Sequence, residues 1–263
     1  MNFTLINLSL LGYLLACILY FVYINFKNKL TGKLATIVLM LGFILNTIIV
    51  FERWYAAGRP PFANLYESLI FFAWAIVLIY LISEFVYKLK IIGAGVSLAA
   101  LLFFGYASFL DKSIQPLMPA LKSNWIVIHV TSYFIGYGAV TVAFVASLLY
   151  LIVSKKPSNS SLAANLDLLS YRLISFAFPF FNVGLTTGAV WANVAWGSYW
   201  SWDPKETWSL INWLFYSLYL HARIVRGWQG KRAAWLSIIS FLAVVFTFLG
   251  VNFFLSGLHS YNQ

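Results

Sequence analysis

The chain has 263 residues, 62% of them hydrophobic, 19% aromatic and 9% charged, whereas soluble domains run near 45–50% apolar and about 25% charged. With a mean hydropathy of +0.85, too little polar surface exists to cover a water-soluble globule, and intrinsic disorder is excluded with it. The single Cys17 rules out an internal disulfide or a CxxC site, while the net charge of +10 raises nucleic acid as a partner until the basic residues are placed.

A membrane span needs about 20 apolar residues, at 1.5 Å rise each, to cross a hydrocarbon core of about 30 Å. Eight candidates follow in chain order: 3–25, 34–56, 65–87, 91–109, 126–153, 173–191, 205–225 and 233–255. No Lys or Arg precedes the first run, Lys27 being the first basic residue, so this run reads as a retained span and not as a cleaved signal peptide. The fourth carries Gly93 and Gly95 near its start, and the sixth contains Pro179 and Gly184. Without a repeat or a second domain, the reading is one integral-membrane domain over 1–263, an all-α polytopic membrane protein of about eight transmembrane helices.

The spans divide the basic residues between two sides. One side holds Lys27, Lys29, Lys33, Lys88, Lys90, Lys155, Lys156, Arg172, Arg223, Arg226, Lys231 and Arg232; the other holds Arg53, Arg59, Lys112, Lys122 and Lys205. By the positive-inside rule the richer side is cytoplasmic and both termini lie on the outer (periplasmic or lumenal) side. The basic excess is then a topology signal, and no nucleic acid partner is expected. Segments 57–64, 110–125, 192–204 and 256–263 face outward, while 154–172, with Ser158, Asn159, Ser160 and Ser161, reads as a solvated linker.

Six of the 11 Trp fall between positions 191 and 213, around Trp196-Gly-Ser-Tyr-Trp200-Ser-Trp202-Asp203-Pro204-Lys205-Glu206-Thr207-Trp208. An interfacial aromatic belt would account for one or two such residues; six at one loop suit stacking on a planar apolar ligand. Gly197 permits close backbone approach. Asp203-Pro204-x-Glu206 reads as a helix start, with Asp at the N-cap, Pro at N1 and Glu closing a capping box. The loop is thereby mounted on the outer end of the seventh span.

The three histidines are His129, His221 and His259. Intramembrane ionisable groups are costly and point to function, although a single one can serve only as a hydrogen-bonding core residue. His129, near the outer end of span five, and His259, after span eight, fall on the same face as the aromatic loop. Two neutral imidazoles there suit bis-axial ligation of a haem iron. His221 lies 17 residues beyond Pro204, about 25 Å along a helix, and cannot share their ligand sphere; it is either structural or part of a second, inner site. Zinc could use the outer pair with Asp203 or Glu206, but that leaves the Trp cluster without a purpose. The sequence contains no HExxH, P-loop or GxSxG motif.

These residues resemble a known family. WGSYWSWDPKETW, within about 192–208, looks like the WWD domain of haem-handling membrane proteins, and the wider pattern resembles the CcsA/ResC proteins of System II cytochrome c-type biogenesis. The matching pieces are Asn64-Leu65-Tyr66-Glu67-Ser68-Leu69, Leu121-Lys122-Ser123-Asn124-Trp125 leading to His129-Val130, Tyr219-Leu220-His221-Ala222-Arg223, and Gly250-Val251-Asn252-Phe253 leading to Gly257-Leu258-His259-Ser260-Tyr261. The WWD motif is shared with CcmC and CcmF proteins; the spacing to GLHSY favours CcsA.

The resemblance implies a haem-binding and haem-transport subunit of a cytochrome c synthase of the haem lyase type. Haem b would be its transported substrate, presented to the CxxCH segment of apocytochrome c. It implies that His129 and His259 ligate the iron on the outer face, and that Trp196, Gly197, Trp200, Trp202 and Asp203 hold the macrocycle. His221 would belong to an inner haem site completed by a CcsB/ResB-type membrane partner, with thiol-reducing proteins acting indirectly. The outward arginines, Arg53 and Arg59, could pair the propionates or serve as interface anchors. The implied location is a bacterial cytoplasmic (inner) membrane, or the thylakoid membrane if plastid-encoded. Two other classes stay open: a non-haem transporter or channel with an aromatic outer gate, and a cytochrome b-like oxidoreductase. The latter would need four histidine ligands.

Overall fold

The computed structural model describes residues 3–255 and Gly257. Its chain forms two compact units, residues 1–117 and 118–263, and no strand occurs among the described residues. Unit one contains α1 (Phe3–Phe26), α2 (Lys29–Ala57), α3 (Leu65–Tyr87) and α4 (Gly93–Ser108), the last preceded by a 3₁₀ turn at Lys90–Ile92. Unit two contains α5 (Asn124–Val153), α6 (Ser160–Trp196), α7 (Pro204–Ile224), α8 (Lys231–Val245), a π-helical turn at Phe246–Gly250 and a short α9 (Val251–Phe254). Seven helices among the described residues are long and apolar enough to cross a membrane, α8 being counted through to Phe254. The eighth candidate is α7, which has span length with a polar inner face.

In unit one, α1 packs on α2 and α4, and α3 on α4 and α2. Gly12 and Gly42 let α1 and α2 approach closely, since a Cβ on Gly12 would lie 2.9 Å from the Gly42 Cα. The unit is closed at one end by the buried Glu84, which accepts hydrogen bonds from the Tyr20 hydroxyl and Thr36 Oγ1, both at 2.5 Å, and pairs with Lys90 at 3.0 Å. At the other end lies Glu67, whose ion pairs are described below. A charge in an apolar interior persists only with such partners.

In unit two, α5 packs on α6 and α8, and α7 on α8 and α6. Glycines shape the α5–α6 seam: a Cβ on Gly136 would meet the Phe181 ring, and one on Gly184 the Tyr133 ring at 2.8 Å. The 154–172 stretch departs from its reading as a solvated linker, because α6 starts at Ser160 and runs for 37 residues. Its first turns bury Ala163, Leu166, Leu169, Ser170 and Leu173, a spacing of three and four that defines one helical face. Of the polar residues that suggested a linker, Ser158 and Asn159 form a 3₁₀ turn with Pro157, and Ser160 and Ser161 begin the helix on its exposed side. Pro179 sits inside α6, where it withholds one backbone donor without ending the helix. The helix also carries on through Trp196, so the irregular part of the Trp loop is confined to residues 197–203.

Candidate functional site

The Trp loop is held at both ends. Gly197 ends α6 in the left-handed conformation, φ 80°, its N–H donating to the Asn193 carbonyl. This is the position where a glycine stops a helix at least cost. At the far end the expected capping box is present: the Asp203 side chain accepts from the Lys205 N–H at 3.0 Å, and Glu206 Oε2 accepts from the Asp203 N–H at 3.2 Å. The same Glu206 oxygen reaches further into the loop, accepting from the Ser201 N–H at 2.8 Å and from the Ser201 hydroxyl. Both carboxylates are thus turned into the cap. Trp202 adopts φ 59°, a left-handed backbone that a bulky residue rarely takes, and its carbonyl is held by the Thr207 hydroxyl at 3.2 Å.

The loop offers broad aromatic faces. Tyr199 and Trp202 are 60% and 68% exposed, with Trp200 half-buried and edge-on to Trp202 at 5.7 Å. Below the loop, Trp208 packs on Phe246 at 4.3 Å. Phe246 opens the π-helical turn and lies over Gly250, where a Cβ would be 2.5 Å from its ring. Such π turns re-aim side chains and recur at functional sites.

His129 stands next to this assembly. Its ring lies against Trp191 at 5.8 Å with the planes 27° apart, and Trp191 meets Trp196 edge-on at 4.8 Å. The histidine is therefore linked to the start of the Trp loop by a run of packed rings. The buried Trp191 is itself fixed by an Nε1–H bond of 2.7 Å to the Ala120 carbonyl. His129 Nδ1 lies 2.7 Å from the Gly184 carbonyl oxygen. A carbonyl only accepts, so Nδ1 carries the proton and the basic lone pair is on Nε2, the arrangement of a metal-ligating imidazole with its second nitrogen anchored. The ring sits in a notch between Gly184 and Gly188: a Cβ on Gly188 would overlap Nδ1 and lie 2.5 Å from Cε1.

The other expected residues are placed as follows. His259 lies outside the described residues. Gly257, two positions earlier, packs directly on the cap of α7, where a Cβ would overlap Asp203 Oδ1 and lie 3.0 Å from Pro204 Cδ. His221 is exposed in the last turn of α7, on one stripe with Leu214 and Leu218. Arg53 and Arg59 belong to unit one, where both pair with the fully buried Glu67: Arg53 Nε at 2.9 Å and Arg59 Nη1 at 2.8 Å. Arg53 also donates to the Lys112 and Ser113 carbonyls, fastening segment 112–113 to α2. Among the described residues no group of three or more His, Cys, Asp and Glu gathers to hold a metal ion.

Sequence reading did not single out Gly188, Trp191 or Phe246. The signal for the first was Gly184-Leu-Thr-Thr-Gly188, a small-xxx-small pattern that lets a neighbouring helix approach.

The family model described as Cytochrome C assembly protein matches residues 62–259. The cytochrome c biogenesis protein CcsA of Chlamydomonas reinhardtii is 44% identical over 230 residues, which cover 83% of this chain and 65% of that protein. The chain thus spans just under two thirds of that relative. CcsA of Trieres chinensis is 39% identical, with 94% of this chain and 93% of that protein covered, and CcsA of Pyropia yezoensis 38%, with 99% and 97% covered. Among solved structures, the cytochrome c haem lyase CcmF superposes with a TM-score of 0.72 at 17% identity, over 93% of this chain and 46% of that one. That likeness is one of fold. Matched along most of its length by both the family model and these relatives, the chain belongs to the CcsA proteins of the cytochrome c assembly family.

Proposed function

We propose that this membrane protein of cytochrome c biogenesis binds haem beneath its Trp loop and presents it for covalent attachment to apocytochrome c. The observation that carries the reading is His129. Its imidazole is anchored through Nδ1 to the Gly184 carbonyl, has its basic lone pair on Nε2, and is packed through Trp191 against the start of the Trp loop. His259 is assigned as the opposing ligand on the family resemblance, with Gly257 on the Asp203 cap in support. Trp196, Gly197, Trp200, Trp202 and Asp203 form the mount, and the exposed Tyr199 and Trp202 rings offer the flat faces a macrocycle requires.

His221 is assigned to an inner haem site completed by a CcsB/ResB-type partner, which its exposure on α7 permits. The two arginines, both paired with the buried Glu67, are given the structural role of bracing unit one, Arg53 also holding segment 112–113. The reaction lies between haem and the CxxCH peptide. Each thiol adds across a vinyl group, sulfur to one carbon and its hydrogen to the other, and the peptide histidine replaces a carrier imidazole on iron. The chain contributes position, shielding from water and axial ligands that set the iron potential.

The test is an absorption spectrum, oxidised and reduced, of protein purified with and without a co-expressed partner. A b-type spectrum lost in His129→Ala and in His259→Ala, and partly restored by added imidazole, is the expected outcome. Haem content and cytochrome yield unchanged in both variants would refute the ligand assignment.

A further inference from the structure

The inner face of α7 is polar at every turn. Glu206, Ser209, Asn212, Tyr216, Tyr219 and Arg223 recur at spacings of three and four along its 21 residues, a single face of a helix about 30 Å long. Asn212, Tyr216 and Tyr219 are almost wholly buried, and Glu206 is 9% exposed. The elements packed against α7 answer with polar groups of their own. The Asn212 amide donates to Thr247 Oγ1 at 2.7 Å, and the hydroxyls of Tyr133 and Tyr137 on α5 face Ser209 and Asn212. Tyr219 faces Ser170, which is hydrogen-bonded to Ser147 at 2.9 Å. Arg223 ends the row in a two-pronged pair with Asp167.

Among the described residues this row is not fully satisfied. Glu206 Oε1, Asn212 Oδ1 and the Tyr216 hydroxyl, with Asn252 Oδ1 from the neighbouring α9, are buried and without a hydrogen-bond partner among the described residues. Unmet groups of this kind are costly in an interior, and native structures meet them with bound water holding about two to four polar contacts. Successive positions stand about one helical turn, 5.4 Å, apart, which is the span one water closes with a hydrogen bond of about 2.8 Å on either side. Both ends of the row reach the surface. At one end Asp167 and Arg223 line a cleft of about 590 Å³ with Lys156, Ser160 and Gln229. At the other, Glu206 is bonded to Ser201 of the exposed Trp loop.

We infer that the inner face of α7 holds a file of bound water and forms a proton path between the Asp167–Arg223 cleft and Glu206 under the Trp loop. Hydroxyl, amide and water groups pass a proton by exchanging hydrogen bonds, without any side chain crossing the bundle. The path gives the capping carboxylate beneath the Trp loop a hydrogen-bonded route to the opposite end of the unit. The Tyr133 ring, which meets His129 edge-on at 5.1 Å, packs between this row and the histidine. The path itself does not depend on the haem reading.

The experiment uses the full chain reconstituted in vesicles with an entrapped pH-sensitive dye, potassium on both sides and valinomycin to remove the electrical potential, followed by an external acid step. The expected result is internal acidification faster than in protein-free vesicles, falling to their level in Asn212→Leu and slowed in Tyr216→Phe. Tyr216→Phe removes one hydroxyl and keeps the ring, so slowed flux with an unchanged thermal unfolding curve separates the path from packing. Wild-type flux equal to that of protein-free vesicles, or flux undiminished in both variants, overturns the inference.

Discussion

Gly188→Ala probes the seat of His129 without touching a proposed ligand. The added Cβ would overlap Nδ1 and lie 2.5 Å from Cε1 of the ring, whereas carbon atoms in contact stand about 3.5–4.0 Å apart. The ring must therefore move by about 1 Å or α6 must shift. Neighbouring Gly184 and the buried Trp191 leave little room for either. Overpacking of this kind costs about 1–3 kcal/mol, and the 2.7 Å bond from Nδ1 to the Gly184 carbonyl is lost with the movement. Loss of a group that orients a metal-ligating histidine lowers metal affinity by about 10–100-fold. The assay is haem titration of the purified protein, followed by absorption and electron paramagnetic resonance spectra and by the reduction potential. Weakened binding, an altered low-spin signature and partial rescue by imidazole are expected. Wild-type affinity, spectrum and potential in Gly188→Ala would refute the argument that the glycine notch sets the ligand.

Three further outcomes follow from the same geometry. Glu67→Gln leaves the Arg53 and Arg59 guanidinium groups without their shared carboxylate, and breaking a buried pair costs about 3–5 kcal/mol; thermal unfolding in detergent should fall steeply, and an unchanged midpoint contradicts the role given to the pair. Asp203→Ala removes the cap of α7 at about 1 kcal/mol, a small change in global stability. It should be accompanied by a large loss of haem retention, and equal haem content in variant and wild type counts against the mount. His221→Ala alters an exposed side chain, so haem content should drop while the unfolding midpoint stays put; haem content equal to wild type would remove His221 from any haem site.

What was legible in the sequence was what local rules dictate. The third span was read as 65–87 and α3 is Leu65–Tyr87, because its charged and polar neighbours end the apolar run on both sides. The start of α7 at Pro204, with its Asp203 and Glu206 caps, was equally plain, since a capping box is written in four consecutive residues. Helix α6 was harder. Its first turns carry Ser160, Ser161 and Asn165 on an exposed face and Asp167 in an ion pair with Arg223, and a search for continuous apolar runs discards an amphipathic start. The notch around His129 joins α5 to α6 across 55 positions of sequence, so no local rule reaches it. The polar row of α7 escaped for a different reason. Charged residues are scarce in the spans, and the row is built mainly from Ser, Asn and Tyr, which a count of charges does not register.

The left-handed Trp202 has a thermodynamic consequence for whatever docks on the loop. A bulky residue at φ 59° costs about 1–2 kcal/mol relative to ordinary backbone, and it is held there by the Thr207 hydroxyl and the Asp203–Glu206 cap. Fixing a flexible loop residue costs about 1–2 kcal/mol of backbone entropy, and in this loop that cost falls on folding and not on association. For the proposed planar guest, the backbone that carries Trp202 is set before binding. On that proposal, little of the binding free energy is spent on ordering this backbone.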